Sequence, residues 1–120
     1  MPTNEIAEQA AITTARNWLA LIDRGDSAES WNQAASLFKA SVSREQWQDS
    51  LAAAQFPLGK PISRSLKSKQ YAEELAGAPD GKYYVLVFET SFERKQQGTE
   101  TVVPMIDESG EWRVSGYFVQ

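Results

Sequence analysis

The spacing of apolar residues changes once along the chain, at Pro61, and that change limits the folds open to it. Before Pro61, apolar side chains recur at three- and four-residue intervals and alanine is abundant; after it they alternate, and β-branched and aromatic residues replace alanine. A helical half followed by a sheet half is the α+β class, with helices segregated to one face of an antiparallel sheet. At 120 residues, with 42% hydrophobic and 23% charged residues, the chain reads as one domain over 1–120, able to bury a core without disulfides or a structural metal.

Three helices are expected. Ala11, Ala15, Trp18 and Ile22 share one face, flanked by Ile12 and Leu19, while Thr13, Arg16, Asn17 and Arg24 take the other. This spacing predicts a helix from about Asn4 to Arg24, with the first few residues loose. Gly25 supplies a left-handed stop, and Asp26 with Glu29 forms a capping-box-like start for a second helix carrying Trp31, Ala34, Ala35 and Phe38. Ser43 and Gln46 open a third, whose buried side holds Trp47, Leu51 and Ala54 before Pro57 and Gly59 end it.

Four strands follow, at Ile62 to about Tyr71, Lys82–Arg94, Thr99–Asp107 and Glu111–Val119. Pro79-Asp80-Gly81, Gln97-Gly98 and Ser109-Gly110 read as tight reversals with positive φ, and such short connections require an antiparallel meander. Alternation sets Tyr84, Leu86, Phe88, Thr90 and Phe92 on the helix-facing side, together with Trp112, Val114, Gly116 and Phe118. Gly116 either leaves room for a bulky helix residue such as Trp18 or marks a bulge. The opposite face holds Tyr83, Val85 and Val87, either Val103 with Met105 or Val102 with Ile106, and Tyr117 with Val119. It is less polar than an exposed face should be, which fits either a partner surface or the ordinary preference of β-branched residues for strands. Val85, Val87 and Tyr117 are therefore candidate partner-surface residues, and a second copy of the chain is the most economical partner.

The chain has four tryptophans and neither histidine nor cysteine. Ser-His-Asp and Cys-His catalysis in their common forms are thereby excluded, and no phosphate loop or dinucleotide fingerprint occurs. No metal and no cofactor is implied: Asp107, Glu108 and Glu111 lack the spacing of a calcium loop and read as a solvated turn. Trp18, Trp31, Phe38, Tyr84 and Trp112 are candidates to line a pocket for a small apolar ligand, against the simpler reading that they fill the core. Proton transfer by a carboxylate beside a phenol would draw on Tyr84 with Asp23 or Glu89, but Glu89 falls on the outer face and Asp23 at a helix end. The net charge of −4 argues against nucleic acid, and Lys60, Arg64, Lys67 and Lys69 read as a solvated sheet edge. No run approaches the roughly 20 apolar residues of a membrane span.

Several segments form an ordered pattern: Ala15-Arg16-Asn17-Trp18-Leu19-Ala20-Leu21-Ile22-Asp23, Gly25-Asp26, Ser30-Trp31, Ser43-Arg44-Glu45-Gln46-Trp47, Pro57-Leu58-Gly59, Gly77-Ala78-Pro79-Asp80-Gly81 and Trp112-Arg113-Val114-Ser115-Gly116-Tyr117. Across nearly the whole chain this resembles the bacterial domain-of-unknown-function family number 4019. The resemblance implies a cystatin-like or nuclear-transport-factor-2-like domain whose curved sheet wraps a long helix, and it carries over no catalytic residue. It also implies export to the periplasm or beyond, since members commonly bear a leader. Met1-Pro2 abuts the first helix without one, read as trimming to the mature domain, with a cytoplasmic member as the alternative. The Q-x-V-x-G hairpin of cystatin inhibitors is missing. The expected function is a non-catalytic binding or assembly module of the cell envelope; the alternative is an apolar-ligand cone, with or without isomerase-like proton transfer.

Overall fold

The computed structural model describes residues 2–120, with side chains from Glu5 onward; against the expectation of loose first residues, the helix already begins at Pro2, and Met1 falls outside the described residues. Its elements run α1 (Pro2–Asp23), α2 (Ser27–Asn32), α3 (Ser36–Ser41), α4 (Arg44–Gln55), β1 (Pro61–Ala72), β2 (Tyr83–Phe92), β3 (Lys95–Ile106) and β4 (Trp112–Val119). The strands form one antiparallel meander in the order β1-β2-β3-β4, and α1 lies across β2, β3 and β4. This is the expected α+β arrangement.

Local chemistry sets the helix ends. Gly25, at φ 80, lets the chain turn back so that its N–H reaches Ile22 O at 3.1 Å and the Asp26 N–H reaches Leu21 O at 2.9 Å, a Schellman stop for α1. Ser43 and Gln46 form the full capping box of α4, with bonds of 2.9 and 3.1 Å. The expected second helix is interrupted into α2 and α3 because Ala35 takes an extended conformation and donates its N–H to Val114 O of edge strand β4 at 2.8 Å. The Asp107 carboxylate then accepts from the Ser36 N–H at 3.3 Å and hydroxyl at 3.2 Å, so a residue expected in a solvated turn caps α3.

The β2–β3 reversal is Glu93-Arg94, closed by the Phe92↔Lys95 pair; Gln97 and Gly98 lie inside β3. Gly98 has no positive φ and instead serves close approach: a Cβ there would stand 2.6 Å from the Phe92 ring and 3.0 Å from Thr90 O. Of the three glycines read as turn formers, only Gly110 has positive φ, at 84°.

β4 departs from simple alternation. Val103 pairs with Gly116 while the next β3 residue, Pro104, pairs with Val114, leaving Ser115 as an extra residue. The bulge reverses facing for the rest of the strand. Tyr117, expected outside, lies beneath the helices with its ring 5.5 Å from Trp18, whereas Phe118, expected inside, is 65% exposed, and Gly116 turns outward with it. Pro104 fits a central strand because it sits at this irregularity. Val102 faces inward and Val103 outward, which settles the two registers left open by alternation.

Trp18 is only 2% exposed, and its ring meets Phe38, Trp47 and Tyr117 at centroid distances of 6.4, 5.7 and 5.5 Å. Both buried indoles end on Ser30: Trp18 Nε1 donates to its carbonyl at 2.8 Å and Trp47 Nε1 to its hydroxyl at 2.9 Å. One fully buried serine in α2 thus supports a tryptophan from α1 and another from α4.

Candidate functional site

Of the five aromatic pocket candidates, Trp18, Phe38 and Tyr84 belong to one hydrophobic core, and Trp31 and Trp112 pack against it. Trp18 and Phe38 pack with Trp47 and Tyr117. Tyr84 and Trp112 form a second group with Tyr71, at ring separations of 5.3 and 5.5 Å. Trp31 packs at the edge of the same core, donating to Val42 O at 2.9 Å with the Lys39 ammonium 5.8 Å from its ring centroid. Tyr84 faces the helices and Glu89 faces outward beside Lys67, as alternation indicated.

Polar chemistry beneath the helices centres on Glu100, which the sequence did not single out, and on Arg64, Thr90, Tyr117 and Asp23, which it read in other roles. Glu100 is 1% exposed, and three strands satisfy it. Its Oε1 accepts from Arg64 Nε at 2.7 Å and from the Thr90 hydroxyl at 2.6 Å, while its Oε2 accepts from the Tyr117 hydroxyl. Arg64 then spans the gap to α1, donating from both terminal nitrogens to Asp23 at 2.8 and 3.0 Å. Arg64 therefore leaves the expected solvated edge: its side chain is 15% exposed. Burial alone would lower its pKa, yet the hydrogen bonds to Asp23 and Glu100 hold it above the ordinary range. Burial, then the Glu100 charge, pushes the Tyr117 phenol well above its ordinary 10.0.

This is a buried carboxylate–phenol pair, but both carboxylate oxygens already accept hydrogen bonds and the phenol proton is held by Glu100. Among the described residues no buried side-chain polar atom lacks a partner, and no three carboxylates gather as metal ligands. Arg64 gave no sequence signal because serines flank it, as they would on a solvated edge. Pro104 was the available sign of the bulge that brings Tyr117 to Glu100, since proline inside a central strand requires an irregularity.

The outer sheet face carries a groove of about 410 Å³, lined by Leu75, Tyr83, Val85, Val103, Gly116 and Phe118 among others. One wall is the β1–β2 connection, held by the Tyr83 hydroxyl donating to Pro79 O at 2.5 Å and the Gly81 N–H to Glu73 O at 3.0 Å. Leu37 and Ser41 of α3 stand at the other side. The connection buries Tyr83 to 1% exposure, so part of this apolar face is covered by the chain itself, while Val85 and Val87 remain half-buried. Val85 lines the groove, and Tyr117 belongs to the other face.

A sheet with helices over one face and an uncharged, largely apolar groove on the other defines a small α+β domain. The chain belongs to the family described as Protein of unknown function (DUF4019), whose model matches residues 14–117. No curated protein and no solved structure matches it.

Proposed function

We propose that this domain is a non-catalytic binding or assembly module and that its outer groove receives a second copy of the same chain. The observation carrying this reading is that no residue lining the groove bears a formal charge, although the chain carries a net −4. Two copies meeting there bring no like charges together. Phe118, exposed at the groove, adds an apolar projection beside an apolar recess on one surface, as a two-fold interface requires. Burial of Glu100 to 1% exposure beneath Arg64, Thr90 and Tyr117 supports the non-catalytic part, because a general base needs a lone pair that substrate can reach.

Sedimentation or light scattering is expected to give a mass that rises with concentration towards the dimer. Phe118→Lys and Val87→Lys are expected to hold the chain monomeric with an unchanged circular dichroism spectrum. A wild-type chain that stays monomeric at millimolar concentration removes the reading. The placement in a bacterial cell envelope rests on the family resemblance and is tested by fractionation of the native host.

A further inference from the structure

A second cavity, of about 490 Å³, shares no lining residue with the outer groove. It lies between the end of α1, the last turn of α4 and the Glu93-Arg94 turn. Its walls are tied together. Gln55 Nε2 donates to Ile22 O at 2.9 Å, the Arg94 N–H to Leu58 O at 2.8 Å, and the Glu93 N–H to Lys60 O at 2.9 Å. Gly59 allows the two loops to touch, since a Cβ there would lie 2.9 Å from the Glu93 Cβ.

The charges lining this cleft are unequally committed. Asp23 has both oxygens on Arg64, and Glu93 Oε1 accepts the Lys60 N–H at 2.8 Å. Among the described residues the Lys60 ammonium has no ion-pair or hydrogen-bond partner, and the Arg94 guanidinium bonds only a neutral carbonyl, Phe56 O, at 3.1 and 3.3 Å. Arg24 makes a single long contact of 3.8 Å with Asp26. Asp23 is paired with Arg64 and Glu93 keeps its charge, so the three cations lining the cleft, Arg24, Lys60 and Arg94, outnumber its two acids by one in an acidic protein. Ala52, Pro61 and the ring of Phe56, which is 79% exposed, supply apolar surface beside it.

We propose that this cleft binds a small organic oxyanion, an apolar body ending in a carboxylate or phosphate, with Lys60 and Arg94 holding the anionic end and Phe56 and Ala52 the body. The volume is that of a small-molecule site, and the tied walls mean that binding need not order them. This site is independent of the dimer surface.

The test is amide-resolved NMR titration of the full chain with benzoate, phenyl phosphate and uncharged benzamide, up to about 10 mM, which reaches weak small-molecule affinities. Both anions are expected to shift Gly25, Gly59 and Lys60, and benzamide to shift them much less. Lys60→Gln, which removes no internal bond, is expected to weaken benzoate by roughly threefold to fivefold, the worth of one exposed ion pair, and Lys60→Glu by more. Equal response to benzamide, shifts confined to the outer groove, no shifts at all, or undiminished binding by a folded Lys60→Glu chain would each overturn the proposal.

Discussion

Glu100 brings three kinds of donor to one carboxylate: a guanidinium from β1, a hydroxyl from β2 and a phenol from β4. A carboxylate this buried is costly unless every lone pair is occupied, so the three contacts act as one unit. Tyr117 gives that unit a pH signature. Its pKa is raised in the fold, first by burial and then by the Glu100 charge, above the 10.0 of an exposed phenol. Below pH 10 both states hold the proton and the contribution is complete; above it the unfolded chain ionises first, so stability falls as pH rises. Tyr117→Phe is expected to show a shallower decline in urea-unfolding free energy between about pH 10 and 12 than wild type. Parallel declines would show that Tyr117 is not the group responsible. Little of this was legible beforehand: Arg64 and Glu100 are separated by 36 positions, and no local pattern links them.

At the level of elements, what could be read was what is decided locally. Gly25 and the Ser43–Gln46 box act on neighbouring peptide groups, and both helix ends fall where their chemistry put them. The β2–β3 reversal was misplaced because Gln97-Gly98 is the familiar turn signal, whereas Glu93-Arg94 has no glycine and is tied to the Leu58–Lys60 loop by long-range main-chain bonds. The break between α2 and α3 likewise answers to a distant strand, through Ala35 and Val114. Gly98 separates the two readings experimentally. If it served a turn by positive φ, alanine would strain the backbone; in β3, alanine instead strikes the Phe92 ring and Thr90 O. Gly98→Ala is expected to cost about 1–3 kcal/mol in thermal or urea unfolding, with partial recovery when Phe92→Leu is added. Additive losses in the double variant would count against this account.

Across the whole molecule, helices and sheet share one interior. The cluster of Trp18, Phe38, Trp47 and Tyr117 draws on α1, α3, α4 and β4, and Ser30 of α2 anchors two of its indoles. Neither half retains that interior without the other, although the change at Pro61 makes the sequence look like two separable pieces. Urea unfolding followed by far-ultraviolet circular dichroism, which weights the helices, and by tryptophan fluorescence is therefore expected to give coincident transitions. A helical signal that persists after the fluorescence change would show that the halves fold independently. The change of period made the layer order legible, while the sharing of Ser30 by two indoles depends on tertiary packing that no spacing encodes.

Ser115 gives β4 a property that resembles a reading frame. Removing this one residue would leave Val114 opposite Pro104 and Gly116 opposite Val103 in unbroken alternation, so the Tyr117 phenol would stay on Glu100 and the Phe118 ring at the outer groove. Removing a second residue, with no bulge left to absorb it, would invert the facing of every position beyond the deletion. The strand thus tolerates the loss of one residue but not of the next, so related chains are expected to keep the extra residue beside Pro104 or to lose both together.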